Sequence, residues 1–189
     1  MKYMGSKARF TKEILPIILK DRKQDQWYVE PFAGGMNVIS NVNGNRVAID
    51  NNEYLIEMWK YLWKEKKVPL QATEITREVY EAARDMFYGR LDKTLTDYLI
   101  GYIGYMGSAN GRFFDGGWSG ISKTKNGKER NYIEESVRNI EKHLSQVEGD
   151  IKFIFGSYYA FDYPKNSLIY CDPPYQNTKQ YGTSKNFDY

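Results

Sequence analysis

The chain has 189 residues, room for one domain or for one domain with a modest insertion. Hydrophobic residues make up 41% and charged residues 27%, mean hydropathy is −0.67, no apolar stretch reaches membrane-spanning length, and the N-terminus lacks the apolar core of a signal peptide, so a soluble cytoplasmic protein is expected. One cysteine (Cys171) and one histidine (His143) exclude an internal disulfide and a Cys/His zinc cage, and leave proton chemistry to carboxylates, tyrosines, lysines or backbone groups.

Phe10, Ile14, Ile17 and Ile18 recur at helical spacing and predict a helix over residues 6–19, kinked at Pro16. Residues 27–29 predict a strand that runs into Glu30-Pro31-Phe32-Ala33-Gly34-Gly35, and a helix is expected over 36–41. Residues 46–50 predict a second strand ending on Asp50, and Leu55, Met58, Trp59 and Leu62 mark an amphipathic helix after it. After Pro69 come helical patterns over 76–87 and 95–105, then a loop with Gly107, Gly111, Gly116, Gly117 and Gly120. Asn131 and Glu134 resemble a capping box that opens a helix with Ile133, Val137, Ile140 and Leu144. His143 follows that helical pattern and reads as structural or surface. Strands return over 151–155 and 167–171. The order predicts a parallel α/β sheet with helices inserted in its middle, binding its ligands at the strand carboxyl ends.

Three segments at or beside such ends carry chemistry. The glycine turn of Gly34 and Gly35 lets backbone approach a ligand, although such turns are often only turns. Asp50 suits ribose hydroxyls, with a helix N-cap as its plain alternative. Asp172-Pro173-Pro174-Tyr175 follows an apolar strand, and its two prolines stiffen the loop. An exocyclic base amine is a poor nucleophile because its lone pair is delocalised into the ring. Two acceptors, the Asp172 carboxylate and the Pro173 carbonyl, would favour a tetrahedral nitrogen with its lone pair outward, while Tyr175 stacks on the base.

On these residues the chain resembles the Dam-type (D12 class) DNA adenine N6-methyltransferases, especially phage and prophage members, in the motif order of their alpha group. Tyr3-Met4-Gly5-Ser6-Lys7 is similar to the family's N-terminal motif, Glu30 to Gly35 to its cofactor motif, and Asp172 to Tyr175 to its catalytic motif. The resemblance implies S-adenosylmethionine as cofactor and double-stranded DNA as partner, with the target base flipped from its stack. It implies an α/β fold: a Rossmann-like S-adenosylmethionine-dependent methyltransferase sheet, incomplete at its C-terminus, with an inserted helical DNA-recognition region. The catalytic domain would comprise 1–68 and 150–189, and the insertion 69–149. Tyr3 and Lys7 would meet the cofactor's amino-acid end or the bound base. Phe32, Gly34 and Gly35 would line its methionine portion, Asp50 its ribose, and Ser157 and Tyr158 its adenine ring. Asp172, which also borders the cofactor, would do the chemistry with Pro173, Pro174 and Tyr175. The cofactor motif usually reads Phe-x-Gly-x-Gly; here Met36 takes the last place, a departure that bears on the methionine end of the site.

Residues 106–130 hold five basic groups against two acidic ones, which accounts for the whole net charge of +3. This loop falls where the family keeps its recognition region, and Phe113, Phe114 and Trp118 interleave with its charges. Lys123, Lys125, Lys128 and Arg130 would meet DNA phosphates, and Asn110 and Arg112 base edges. Cytosine-C5 methylation would need a cysteine nucleophile, and Cys171, on its apolar strand, reads as buried. Methylation of cytosine N4 or of a glutamine amide uses similar acceptors, typically with Ser or Asn in place of Asp172. A dinucleotide oxidoreductase is disfavoured because the turn does not fit G-x-G-x-x-G. The rival from another class is a catalytically inactive DNA-binding relic. The resemblance also places the strand of the cofactor motif between the Asp50 strand and the catalytic-motif strand. The latter then becomes an exposed edge, from which self-association, or a poorly stable and weakly active monomer, is expected, with a segment 176–189 that is mobile unless a neighbouring molecule holds it.

Overall fold

The computed structural model describes residues 1–175, so the expectation for 176–189 lies outside the described residues. In chain order the elements are α1 (Thr11–Ile18), β1 (Tyr28–Glu30), β2 (Arg46–Asp50), α2 (Glu53–Glu65), α3 (Arg77–Phe87), α4 (Asp97–Gly107), β3 (Ile121–Lys123), β4 (Glu129–Asn131), α5 (Tyr132–Gln146), β5 (Lys152–Phe155) and β6 (Leu168–Ile169). They divide into two compact units, and the division falls inside α2. One comprises Gly5–Ile56 with Val147–Tyr189, the other Met1–Met4 with Glu57–Gln146. No helix among the described residues is long and apolar enough to cross a membrane.

The sheet unit is a parallel four-stranded sheet in the order β5-β2-β1-β6. Val29 pairs with Val47 and with Ile169, so β1 lies between the Asp50 strand and the strand leading to Asp172. Every residue of β1 and β2 is buried, the charged Glu30, Arg46 and Asp50 at the strand ends included. Trp27, Ile154, Phe161 and Tyr163 pack onto the core of Val29, Val47 and Ile49. Arg46, also buried, donates from its guanidinium to the carbonyls of Glu148 and Asp150, which fixes the chain's entry into β5. β6 pairs with β1 alone among the described residues, and Ile169 is exposed.

The helix expected over 36–41 is corrected to a single 3-10 turn, Ile39–Asn41. The reason is local: Met36 sits at φ +60, a left-handed value that an α-helix does not admit. The methionine thus adopts the kind of backbone for which glycine is the usual choice, and burial of its whole side chain offsets the strain. The first helix is shorter than expected, starting at Thr11, and it runs through Pro16.

In the helical unit, Thr76 caps α3 by accepting the Val79 N–H at 3.3 Å. The Asn131 side chain accepts the N–H groups of Ile133 and Glu134, both at 3.1 Å, and opens α5 as the sequence implies. A reciprocal capping box at Gln71 and Glu74, which the residue pattern does not single out, starts a 3-10 turn. His143 is structural: its ring packs against Trp59, and burial pushes its pKa down to about 4.

The glycine-rich segment is not one irregular loop. Its first half folds back on itself, with Ala109 N–H on the Gly117 carbonyl and Ser119 N–H on the Gly107 carbonyl. Phe113 and Phe114 are buried there, against Phe87, Tyr80 and Tyr105. These rings therefore belong to the core rather than to a basic surface, because burying one is worth about 1.5–3 kcal/mol. The second half is an antiparallel hairpin, β3 with β4.

A side chain added at Gly104 would bring Cβ within 2.6 Å of the Phe113 ring and 2.9 Å of the Phe114 ring. Ala normally stabilises a helix interior by about 1 kcal/mol over Gly, but here overpacking of about 1–3 kcal/mol opposes that gain. We expect Gly104→Ala to lower the urea midpoint; a raised midpoint would show that the two rings move aside freely.

Candidate active site

The sheet unit collects its reactive groups at the carboxyl ends of its strands. β1 ends on Glu30 and enters the turn of Phe32, Gly34 and Gly35. The turn is tied to the neighbouring strand by Ala33 N–H on the Ile49 carbonyl at 3.0 Å. β2 ends on Asp50, whose carboxylate is buried. One Asp50 oxygen accepts the Gly34 N–H and the other the Asn52 N–H, both at 3.0 Å. The helix cap that follows is Asn52, which accepts the Leu55 N–H at 3.3 Å, so Asp50 braces the glycine turn instead of capping α2. Burial pushes the Asp50 carboxyl up to about 6, against the pull of N–H donors from Gly34, Asn52 and Asn51.

After β5 the chain turns at Ser157, half-buried, and the exposed Tyr158 sets its ring 5.3 Å from that of Phe32. The structure thus brings Phe32, Gly34, Asp50 and Tyr158 to one end of the sheet. Tyr3 belongs to the helical unit, where its ring stacks on Tyr105 at 5.9 Å.

Asp172 follows β6, beside the end of β1, with Tyr170 N–H bonded to the Val29 carbonyl at 2.9 Å. Both of its carboxylate oxygens have a donor. Lys7 Nζ reaches Oδ2 at 2.5 Å, and the Tyr175 hydroxyl donates to Oδ1 at 2.8 Å. The Lys7 ammonium also lies 5.1 Å from the centre of the Tyr175 ring. Burial pulls the Lys7 pKa down, but the hydrogen bond and charge of Asp172, with Tyr175, more than reverse this and keep the ammonium charged. Tyr175 is 54% exposed, and Pro173 and Pro174 are half-buried.

Two features are not legible in the residue pattern. Glu30 is buried at the end of the central strand, and burial drives its carboxyl well above the usual range, with the Ile39 backbone and the Tyr28 hydroxyl opposing. The charges of Asp172 and Lys7 both act on it, in opposite directions. A glutamate at a strand end is as often solvated as buried, so its sequence carries no such signal. Cys171, expected to be buried, is exposed: it lies just past β6, which pairs with β1 alone among the described residues. Partial burial still raises its thiol above the ordinary value, which disfavours the thiolate a nucleophile needs.

In the helical unit the β3–β4 hairpin carries Lys123, Lys125, Lys128 and Arg130, all exposed. Its turn closes with Gly127 N–H on the Thr124 carbonyl, Gly127 adopting φ +74. Arg130 grips Glu135 with two nitrogens, one at 2.7 Å, and Lys2 approaches the same carboxylate at 3.3 Å. Those partners, Arg130 first, hold the Glu135 carboxyl down at about 2. Asn110 is exposed at φ +58, whereas Arg112 is half-buried, and its Nε has no partner among the described residues.

A family model described as D12 class N6 adenine-specific DNA methyltransferase matches residues 3–99, which is 97 of the 189 residues. The chain is also similar to the Type II methyltransferase M.FokI of Planomicrobium okeanokoites, with 26% identity over 197 aligned positions. That alignment covers 93% of this chain and 28% of the relative, so the chain spans little more than a quarter of the relative's length.

The raised Asp50 carboxyl has a measurable consequence. Between pH 3.8 and about 6 the unfolded chain has ionised this group while the folded chain still holds the proton. Stability must therefore fall as pH rises through that window, by up to about 3 kcal/mol, and then level off. Asp50→Asn removes the titration while keeping an acceptor. We expect the difference in unfolding free energy between wild type and variant to change by that order from pH 4 to 7; a difference that stays constant would mean that Asp50 titrates as a solvated carboxylate.

Proposed function

The chain belongs to the D12 class N6 adenine-specific DNA methyltransferases, and from that premise we propose that it transfers a methyl group from S-adenosylmethionine to the N6 amine of an adenine flipped out of duplex DNA. The observation that carries this reading is the place of Asp172-Pro173-Pro174-Tyr175. It leaves the sheet on β6, directly beside the strand whose end forms the glycine turn.

The residues at the strand ends fit the cofactor. Asp50 keeps lone pairs for ribose hydroxyls beyond those given to Gly34 and Asn52. Phe32 and Tyr158 offer flat faces for an adenine ring, and Ser157 lies beside them. Gly34 and Gly35 leave backbone open to the methionine portion. S-adenosylmethionine, when bound, supplies the electrophilic methyl group.

The chain's own part is to prepare the amine. Asp172 and the Pro173 carbonyl accept its two N–H groups and turn its lone pair outward. Lys7 pairs with one Asp172 oxygen and holds the carboxylate in place as an acceptor. Tyr175, released from Asp172 at little cost because its ring is half-exposed, stacks on the base. Lys123, Lys125 and Lys128 suit backbone phosphates, Asn110 and Arg112 base edges, while Arg130 shares itself with Glu135. The likeness to a Type II methyltransferase supports a modification role alongside a restriction enzyme. The single pairing of β6 among the described residues supports association of two copies through that edge.

The deciding assay is transfer of labelled methyl to duplex DNA, scored by restriction protection. We expect Asp172→Ala to lose at least about 10²–10³ in rate while cofactor affinity stays within about tenfold. Near-normal turnover in that variant would sink the mechanism. A wild-type chain that binds cofactor and DNA yet transfers nothing would be the inactive relic.

The hairpin is tested separately. Replacing Lys123, Lys125 and Lys128 together by Gln should weaken DNA binding and reduce the slope of log K against log salt by about 0.9 for each phosphate no longer neutralised. An unaltered slope would move the DNA path off this hairpin.

A further inference from the structure

We propose that Asn37 is a positioning residue, the side chain through which the glycine turn holds Lys7 against Asp172. This rests on the reading of Asp172 as the group that orients the target amine.

Asn37 follows Met36, whose left-handed backbone aims the chain out of the turn. Its amide Nδ2 donates to Ser6 Oγ at 2.9 Å, and Ser6 Oγ also accepts the Ala8 N–H at 3.2 Å. Ser6 thereby ties together the residues on either side of Lys7 and fastens both to Asn37. A second tie comes from Thr11, which is buried. Its hydroxyl proton is shared between the Lys7 carbonyl at 3.1 Å and the Asn37 carbonyl at 3.2 Å. The Asn37 carbonyl is held in turn by Asn41 Nδ2 at 2.9 Å. Lys7 is thus held in front, behind and at its own carbonyl; the Ser6 and Thr11 ties lead to Asn37, and the Phe10 N–H adds a local one at 2.8 Å.

The ammonium then has little left to search. Nζ meets Asp172 Oδ2 and the Gly5 carbonyl, the latter at 3.2 Å. A free lysine stem carries about 2 kcal/mol of rotamer entropy, and a backbone fixed on both sides lowers what must be lost to place its charge. Alanine at 37 would take from Ser6 the donor that ties it to the turn, leaving Ser6 Oγ with the Ala8 N–H and the Lys7 carbonyl with Thr11 and the Phe10 N–H at 2.8 Å. Asp172 would then face an ammonium that wanders, and a misplacement of about 1 Å in a reacting site costs on the order of 10²-fold.

The test uses the full chain and needs no cofactor for its first arm. Amine labelling with acetic anhydride, read by peptide mass spectrometry, reports how well Lys7 is held. We expect Lys7 to label slowly in wild type and several-fold faster in Asp172→Asn. Asn37→Ala and Ser6→Ala should each raise Lys7 labelling at least about threefold, with Lys60 unchanged as an internal control of folding. If both act through the same hydrogen bond, the double variant should label no faster than either single one. In the second arm, kcat for methyl transfer should fall about tenfold in each variant while KM for DNA stays within about threefold. Slow, wild-type labelling of Lys7 in both single variants, or effects that add, would overturn the proposal; Ser6→Ala decides it should Asn37→Ala fail to fold. If the labelling follows expectation but the wild-type chain transfers no methyl group, the positioning stands and the assigned reaction falls.

Discussion

The sheet end is organised around a buried carboxylate that accepts backbone N–H groups from two different segments. Asp50 takes Gly34 from the turn after β1 and Asn52 from the entry to α2. The parallel pairing of β1 with β2 sets these segments side by side, and Asp50 fixes their distance. Its raised carboxyl pKa is the mark of the cost, since burial penalises the charge more than three backbone donors relieve it. A hydroxyl-bearing ligand would add donors to a group already short of them, so the ribose contact proposed for Asp50 would draw on the same burial that raises its pKa.

From that turn the order propagates. Met36 holds a strained backbone because its side chain is wholly buried, and Asn37 leaves the turn in a direction no helix would give. Asn37 meets Ser6, Thr11 meets Lys7, and Lys7 meets Asp172. The N-terminal motif, the glycine turn and the Asp-Pro-Pro-Tyr motif are separated by up to 165 residues, yet they form one continuous set of hydrogen bonds. Glu30, buried beneath them, feels the opposite charges of Lys7 and Asp172 and is itself driven toward the neutral acid, so the pair keeps each other as its main charge partners.

The helical unit separates packing from charge along one short stretch. Phe113 and Phe114 go inward, while Lys123, Lys125 and Lys128 stay outward on a hairpin. Arg130 sits at the base of that hairpin and is committed to Glu135, which Lys2 also approaches. The basic character of the segment is thus divided between a set of long-stemmed lysines open to solvent and an arginine that anchors the ribbon to α5.

Residue order alone determined the alternation of strands and helices, the parallel sheet, the cap at Asn131, and the three motifs at strand ends. Those are local properties: burial on both faces, a side-chain oxygen at a helix start, a glycine pair, a double proline. The resemblance to a known family came from the same local features, and the family match confirms it. Only the tertiary structure decided that 36–41 is a turn, because the left-handed Met36 is sustained by packing that no neighbouring residue announces. It alone turned the glycine-rich loop into a folded half and a hairpin, where long-range burial of two phenylalanines outweighs the polarity of the residues around them. It alone showed Cys171 exposed, since exposure depends on what packs beside a residue in space and not on its apolar neighbours in sequence. And it alone joined Lys7 to Asp172 and Asn37 to Ser6, because hydrogen bonds between segments far apart in sequence are set by the fold and leave no periodicity to read.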